Sequence, residues 1–232
     1  ERAQRKVEEN NFGIRKRLLE YDDVMNSQRE VIYKKRRHAL LGERIGVDIA
    51  NNMYDVCENL VEEHKEANNL EAFRLDVLKY LAVDFDIKEE EFQKSSANDL
   101  TEKLYKEVRE SFSRKTESIA RQAFPVIKNV FEQRGDMFKN IVVPFTDGKR
   151  AYNVVTNLEK AYKTEGEELI RAYEKSIMLA HIDDAWKEHL REMDDLKQSV
   201  QNATYEQKDP LLIYKFESFN LFKVMVDKIN KS

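Results

Sequence analysis

Three side chains in the last third of the chain could together hold a metal ion: His181, Asp184 and Glu188. Steps of three and four residues place them on one face of a helix, with His189 nearby. Imidazole and carboxylate groups are ligands of Zn²⁺, but the spacing is not H-E-x-x-H and no cysteine joins the group. An exposed charged face explains the same residues. We predict no metal site, and a metal-dependent helical enzyme stays an alternative that elemental analysis would test.

Catalysis of other kinds has little support in the sequence. The single cysteine, Cys57, excludes an intramolecular disulfide and is typical of a reducing compartment. No motif pairs it with a histidine as a nucleophile. Neither G-x-x-x-x-G-K-[ST] nor G-x-G-x-x-G occurs, so the sequence offers no loop that would cradle a phosphate. We predict that this chain has no catalytic residue and no cofactor of its own.

A binding role is suggested by Tyr205, an aromatic residue in a polar segment. Residues 198–208 lose the helical periodicity and are dominated by uncharged polar groups. Tyrosine combines a large apolar ring with a hydrogen-bonding hydroxyl, which suits contact with many different sequences. Tyr205 either lies against its own hairpin or contacts a partner. In the second case its polar neighbours would share the contact: Gln201, Asn202, Thr204 and Gln207.

Two amphipathic helices would position this polar segment. Residues 167–197 carry an apolar stripe at helical spacing, formed by Leu179, Ile182, Trp186, Leu190 and Met193. Asp209 and Pro210 predict the start of a second helix, with Asp209 as N-cap and Pro210 at the first helical position. We predict an antiparallel helical hairpin whose tip lies at about residues 198–209, with Trp186 packed against Phe219 or Phe222.

The first 41 residues predict one long helix with a mixed stripe. Its members alternate steps of four and three: Val7, Asn11, Ile14, Leu18, Tyr21, Met25, Gln28 and Ile32. The polar residues at positions 11 and 28 argue against a simple coiled coil and favour a helix that contacts several surfaces in turn. Its helical pattern is already under way at residue 1, so we expect a fragment of a longer protein.

The middle of the chain predicts short helices followed by a β-hairpin. Amphipathic segments lie at about residues 47–65, 69–81, 88–93 and 97–134. Two β-branched and aromatic runs, residues 141–145 and 152–155, flank an Asp-Gly pair, which is a hairpin signal. Pro144 confines its strand to an edge or to a short pairing. We predict a small helical module over residues 42–140 and a β-hairpin insert over residues 141–158.

Composition limits the classes of partner. The chain is 36% charged and 41% hydrophobic with a net charge of −4, which is typical of an elongated helical protein and gives no overall reason to bind nucleic acid. The basic run at residues 34–38 could bind nucleic acid or anionic lipid, and a solvated helix end is the interpretation we adopt. No apolar run approaches twenty residues, so we predict no membrane span.

The two ends of the chain resemble one family. Residues 182–190 (IDDAWKEHL), 207–210 (QKDP) and 217–219 (ESF), together with Tyr205, resemble the two-helix finger of SecA, the ATP-driven motor of bacterial protein export. Residues 3–8 (AQRKVE) and 18–24 (LLEYDDV) resemble the start of that family's long scaffold helix. The middle of the chain matches only loosely. The resemblance implies a C-terminal region of the motor without its nucleotide-binding domains.

The resemblance carries expectations about fold and mechanism. It implies a mainly all-α fold: a scaffold helix over residues 1–41, a wing over residues 42–140, the hairpin insert, and a second scaffold part with the finger over residues 159–232. Tyr205 would contact unfolded preproteins at the SecY channel. The first helix would couple the motor domains to the finger, through polar groups expected at Asp22, Asp23, Gln28 and Arg29.

The same resemblance places the chemistry outside this chain. ATP and Mg²⁺ would be bound by motor domains that the chain lacks, and the parent protein would be cytoplasmic and peripheral at the inner face of the plasma membrane. The expected partners are the SecY complex, preproteins and the parent's own motor domains, without nucleic acid. The isolated chain could pair with a second copy. A structural coiled-coil adaptor without substrate contact remains the alternative function.

Overall fold

A computed structural model describes residues 2–42, 44–146, 148, 151–202 and 209–231. Its elements follow one another in the order α1 (Arg2–Leu41), α2 (Ile45–Glu66), α3 (Leu70–Leu81), α4 (Glu89–Lys94), α5 (Ala97–Arg134), β1 (Asn140–Thr146), β2 (Ala151–Asn157), α6 (Leu158–Lys163), α7 (Glu167–Asn202) and α8 (Pro210–Lys231). The mainly helical fold with one short β-hairpin is confirmed. Within these ranges no helix has the length and apolarity that crossing a bilayer requires.

The chain divides into two compact units. The first, which we call the helical unit, consists of Glu1–His38 and His181–Ile229 and so contains parts of α1, α7 and α8. The second, the mixed unit, consists of Ala39–Ala180 with Asn230–Ser232 and contains the β-hairpin. Each unit has its own buried side chains. The assignment of residues 42–140 to a wing stays a prediction.

One core of the mixed unit is apolar and centred on Phe73. This ring is fully buried and lies 5.3 Å from the ring of Phe92 and 6.1 Å from that of Phe85. An extended segment after α3 contributes every second residue, Val83, Phe85 and Ile87, as its backbone alternation requires. Local capping fixes the flanking helices: the Asn69 side chain accepts the Ala72 N–H, and the Ser96 hydroxyl accepts the Asp99 N–H.

A second core of the mixed unit holds the β-hairpin. Ile127, Val154, Leu158, Ala161 and Leu169 are buried together, with inward-facing strand residues packed against them. Gly166 has φ +96° and a Cβ there would approach the Ala120 carbonyl oxygen to 2.9 Å, so this turn requires glycine. The two strands pair antiparallel with Val142 opposite Val155 and Pro144 opposite Asn153.

The register explains why the hairpin accommodates a proline. The Leu158 N–H donates to the Lys139 carbonyl at 3.1 Å, which makes this directly opposed pair a hydrogen-bonded one. Pairs alternate along an antiparallel ladder, so Pro144 and Asn153 form a non-hydrogen-bonded pair. A backbone N–H at position 144 would point away from β2. The proline therefore costs the hairpin no ladder hydrogen bond, as expected for an edge position.

The sequence left open whether Trp186 packs against Phe219 or Phe222, and the burial of these rings excludes Phe219. Trp186 is buried, at 9% exposure, and Phe222 is half-buried, but Phe219 is 64% exposed. Helix α8 is apolar on more than one face, so its periodicity did not decide which face would be buried. The buried face contains Tyr214, Ser218, Met225 and Ile229, and Phe219 is rotated by one residue from it.

Candidate functional site

The candidate site lies in the helical unit, where α1 packs against α7 and α8. Its apolar part is a cluster of Met193, Val200 and Tyr214, covered by half-buried residues of all three helices: Tyr21, Val24, Met25, Leu196, Ile213 and Leu221. The rings of Tyr21 and Tyr214 meet edge to face at 4.7 Å. Burial raises the pKa of Tyr214 to about 12, with smaller contributions from Asp194 and Asp22, so its hydroxyl stays protonated at neutral pH.

One polar side chain of α1 joins both helices of the hairpin. The Gln28 amide nitrogen donates to the Ser218 backbone carbonyl on α8 at 3.0 Å. Its amide oxygen lies 2.8 Å from Nε2 of His189 on α7. The three residues are at most 8% exposed, so these contacts are shielded from water. Buried polar groups with paired partners fix the register of helices, because any shift would leave them unpaired.

The same contacts define the state of His189. Because the Gln28 amide oxygen can only accept, Nε2 of His189 carries the proton and donates to it. Nδ1 is buried and has no hydrogen-bond partner in the described part of the chain. Burial lowers the pKa of His189 from its ordinary value of 6.5, and the neighbouring rings of Trp186 and Phe222 offer no charge to oppose this. His189 is therefore neutral at neutral pH.

Ion pairs on the surface of the helical unit connect the same three helices. The Arg36 guanidinium binds the Asp183 carboxylate through two hydrogen bonds, at 2.7 and 3.2 Å, and this contact raises the pKa of Arg36. Lys228 on α8 pairs with Glu188 on α7. The basic run at residues 34–38 thus supplies one arm of an intramolecular pair, and not only a solvated helix end.

The four residues predicted for coupling have different surroundings. Gln28 is buried and joins three helices. Asp22 is exposed and lies 3.9 Å from the Lys197 ammonium of α7. Arg29 donates to the Asn26 side chain on its own helix, and the Asp23 carbonyl accepts from Ser27. Their coupling to motor domains stays a prediction.

The sequence places the start of the tip at about residue 198, but α7 continues to Asn202, so the predicted loss of helical structure at residues 198–202 is wrong. Most of the remaining tip lies outside the described residues. This holds for Tyr205, Thr204 and Gln207, and for the side chains of Gln201 and Asn202, whose backbone ends α7. The start of the return helix is described and agrees with the sequence: the Asp209 carboxylate accepts the Leu211 N–H at 3.0 Å, and α8 begins at Pro210.

The groups considered for chemistry are engaged separately. Asp184 lies 3.5 Å from Lys187, Glu188 pairs with Lys228, and His189 donates to Gln28. Among the described residues no three histidine, cysteine or acidic side chains are grouped as a metal site would require. Cys57 is fully buried and burial raises its pKa to about 12, which keeps it a thiol and makes it a poor nucleophile.

Sequence reasoning missed His189 and Ser218 as partners of Gln28. A signal was present, because Gln28 interrupts the apolar stripe of α1, and His189 follows Trp186 by three residues and precedes Met193 by four. Polar residues on two facing stripes indicate a buried pair. No comparable signal marked Ser218, which takes part through its backbone carbonyl.

Comparison with known proteins shows close relatives over the whole chain. A family model described as the SecA wing and scaffold domain matches residues 1–232. The chain is 56% identical over 231 residues to the protein translocase subunit SecA of Porphyromonas gingivalis and 58% identical over 231 residues to that of Flavobacterium psychrophilum. Each match covers 100% of this chain and 21% of the relative. The chain therefore spans about a fifth of the length of these curated relatives.

Proposed function

This chain belongs to the SecA wing and scaffold family, and we propose that it is the mechanical, non-catalytic part of a protein translocase. Its relatives carry the name protein translocase subunit, and the whole chain aligns with a fifth of their length. In this proposal α1 is the scaffold helix and the hairpin of α7 and α8 is the finger. The chain transmits movement from the rest of the parent protein to a polypeptide being exported.

The observation that carries this proposal is the double contact of Gln28. One buried amide on α1 binds His189 on α7 and the Ser218 carbonyl on α8, so a displacement of α1 must move both helices or break buried hydrogen bonds. Leaving a buried donor unpaired costs about 1–3 kcal/mol. A hairpin held in this way transmits displacement, whereas a loosely attached one would absorb it.

In this proposal the finger tip contacts the exported polypeptide. Tyr205 supplies the main contact, and the neighbouring polar side chains Gln201, Asn202, Thr204 and Gln207 take part. A tyrosine ring contacts apolar and polar segments alike, which suits a substrate without fixed sequence. The Asp209 cap supports the proposal because it anchors the chain where it leaves the tip and enters α8.

Nucleotide chemistry belongs to other parts of the parent. The sequence has no phosphate-cradling glycine motif, so its residues do not fit an ATP site, and we assign ATP and Mg²⁺ to the motor domains. The proposed partners are those domains, the SecY channel and unfolded preproteins. The proposed location is the cytoplasm and, peripherally, the inner face of the plasma membrane.

Site-specific crosslinking tests the finger assignment. A photoreactive residue is placed at position 205 of the full-length parent, and a preprotein is stalled in the channel during ATP-driven transport. Position 217, exposed on α8, serves as the matched control. We expect substrate adducts from position 205 that move along the preprotein as transport proceeds, with few from position 217.

A different result would favour the structural adaptor. No substrate adduct from position 205, with strong adducts from other positions of the motor, would overturn the finger assignment. One observation favours the adaptor as the second candidate: α1 exposes large apolar side chains, Val7, Phe12, Leu18 and Leu19, which could contact another polypeptide. Under this alternative, Tyr205→Ala would leave transport unchanged.

A further inference from the structure

The β-hairpin of the mixed unit has one edge that could accept another strand. We propose that the outer edge of β2 binds an extended segment of the polypeptide in transit by strand addition. This inference rests on the proposed function and adds a second substrate contact, distant in sequence from the finger tip. It follows from the register of the hairpin and from the groove beside β2.

The register determines which backbone groups are available. Asn153 and Val155 belong to non-hydrogen-bonded pairs with Pro144 and Val142, so their N–H and C=O groups point away from β1. Within the described residues the sheet has two strands, and no hydrogen bond to these outward groups is present. Asn153 is exposed, and Val155 is 58% exposed. An unpaired row of this kind is a template for a further strand.

The two edges of the hairpin are not equivalent. On β1, Pro144 occupies the position where an outward N–H would otherwise stand, so the outer edge of that strand lacks a donor in its middle. On β2, the residue opposite Pro144 is Asn153, which keeps its N–H. Proline is a common means of blocking an edge strand against pairing. Because proline blocks the outer edge of β1 and not that of β2, the outer edge of β2 is available to a partner strand.

A groove runs along the open edge. It has a volume of about 440 Å³ and is bounded by Asn153 and Val155 of β2, by α7, and by the start of α2 at Ile45. Volumes of this size are typical of ligand sites. The α7 wall carries Arg171, Lys175 and Glu168, and no ion pair of Lys175 occurs in the part of the chain that the structure describes. Arg171 is already paired with Glu167 at 3.9 Å, so Lys175 is the side chain that favours an acidic residue in a bound segment.

The same groove contains an unpaired polar atom. The Thr156 side chain lines it, is 4% exposed, and its hydroxyl has no hydrogen-bond partner among the described residues. An unpaired buried hydroxyl is costly and is rare in folded proteins. In an added strand, the residue opposite Thr156 would lie within reach of its hydroxyl, as in cross-strand threonine pairs. Binding would then satisfy this group.

Backbone recognition points to a polypeptide in transit as the occupant. Strand addition uses main-chain hydrogen bonds that every extended sequence offers, and side-chain pockets add only a preference. A translocase must bind many unrelated sequences in an unfolded form. The open edge meets that need, and Lys175 and Thr156 add a preference for acidic and hydroxyl side chains. A second copy of the hairpin is the competing occupant.

Peptide binding to the full-length parent gives the first test. The probe is a fluorescent peptide of alternating threonine and valine with acidic ends, and anisotropy reports its affinity. Two N-methylated forms distinguish the two hydrogen-bonding edges of the peptide: one is methylated on alternate amides, the other on the remaining amides. We expect one form to lose binding and the other to keep it, because only one set of amides faces β2. Equal binding of both forms would overturn the proposal.

Two matched variants test the location. Val155→Pro removes an outward N–H from β2, and Val142→Pro removes the corresponding outward N–H from β1. The two valines face each other and are 58% and 60% exposed, so both substitutions should destabilise the hairpin to a similar extent. We expect Val155→Pro to weaken peptide binding about tenfold, since losing one or two hydrogen bonds accounts for that factor. Val142→Pro should bind as the parent does.

Several outcomes would overturn the inference. If both variants lose peptide binding equally, binding depends on the folding of the hairpin. If both variants keep it equally, the peptide site lies elsewhere. A dimer that dissociates in Val155→Pro but not in Val142→Pro, measured by sedimentation, would assign the edge to a second copy. If Val155→Pro fails to fold by circular dichroism, the methylated peptides decide alone.

Competition separates this inference from the proposed function. An unfolded preprotein should displace the labelled peptide from the parent protein and not alter the residual binding of Val155→Pro. If peptide binds the edge but preprotein does not displace it, the occupant is wrong, whereas crosslinks from position 205 would still support the finger. If crosslinks from position 205 fail but displacement succeeds, the finger assignment fails and the edge remains a substrate site.

Discussion

The helical unit and the mixed unit differ in what they bury. At the centre of the helical unit, an amide, an imidazole and a backbone carbonyl are joined by hydrogen bonds at Gln28, His189 and Ser218. At the centre of the mixed unit, Phe73 is surrounded by other aromatic rings. Apolar burial supplies free energy without direction, whereas buried hydrogen bonds add little net stability and are strongly directional.

The difference teaches how stability and alignment are divided in this chain. A unit that must keep two long helices in register gains from groups that pair in one arrangement only. A unit that must hold a β-hairpin on helices gains more from a tightly packed apolar core. The mixed unit also contains a buried polar group that is not paired, because the hydroxyl of Thr156 has no partner among the described residues.

The largest expected effect comes from the apolar core. Phe73→Ala should lower the free energy of unfolding by about 3–5 kcal/mol, because the cavity would form among closely packed rings. Leu75→Ala, on the same helix but 67% exposed, is the control and should change it by less than about 0.5 kcal/mol. Urea unfolding of the 232-residue chain measures both. Similar losses in the two variants would contradict the assigned core.

Removing the amide of Gln28 should have a smaller effect. Gln28→Leu leaves the His189 N–H without an acceptor and should cost about 1–3 kcal/mol, against about 0.5 kcal/mol or less for Gln198→Leu on the exposed face of α7. Replacing both Gln28 and His189 by leucine should recover part of the loss, because neither group is then left unpaired. Additive losses in this double-mutant cycle would refute the coupling of the two side chains.

The helical unit should also lose stability in acid through His189. Burial lowers the pKa of the folded state below 6.5, so the unfolded chain binds the proton more readily. Stability from this group is present above pH 6.5 and is lost as the pH falls through the lower pKa of the folded state. His189→Gln keeps a donor but does not titrate, and its unfolding free energy should depend less on pH in that window. If the unfolding free energies of the parent chain and of His189→Gln depend on pH identically, His189 is not the source of the loss of stability in acid.

The smallest expected effect on the free energy of unfolding is a gain and not a loss. Thr156→Val removes a buried hydroxyl that has no partner in the described structure, and should leave the free energy of unfolding unchanged or raise it by about 1 kcal/mol. Thr164→Val is the control, because the Thr164 hydroxyl accepts the Glu168 N–H and donates to the Lys160 carbonyl, so its loss should destabilise. A clear loss of thermal stability in Thr156→Val would show that this hydroxyl is paired.

Most of the local structure could be predicted from the sequence. The helix over residues 97–134 agrees at both ends, and the hairpin lies where β-branched runs flank an Asp-Gly pair. Asp209 and Pro210 predicted the start of α8. These features depend on neighbouring residues, through capping, periodicity and turn preference, and a single sequence contains that information.

The packing partners could not be predicted in the same way. Helix α8 is apolar on several sides, so its pattern allowed Phe219 to be buried, and the fold instead turns Ser218 inward. Arg36 and Asp183 are 147 residues apart, and nothing in their spacing indicates a pair. The contact of one amide with two helices likewise depends on the docking of three separate segments.

The sequence by itself thus determined the family, the approximate positions of α1 to α5, the hairpin and the cap at Asp209, whereas it missed α6 and the last turn of α7. The tertiary structure alone decided which faces are buried, that Gln28 binds His189 and the Ser218 carbonyl, and that within the described residues the outer edge of β2 is unpaired while Pro144 removes a donor from that of β1. The reason is physical. Propensity and capping act over a few residues, whereas burial and hydrogen-bond pairing are settled only when distant segments compete for the same contacts.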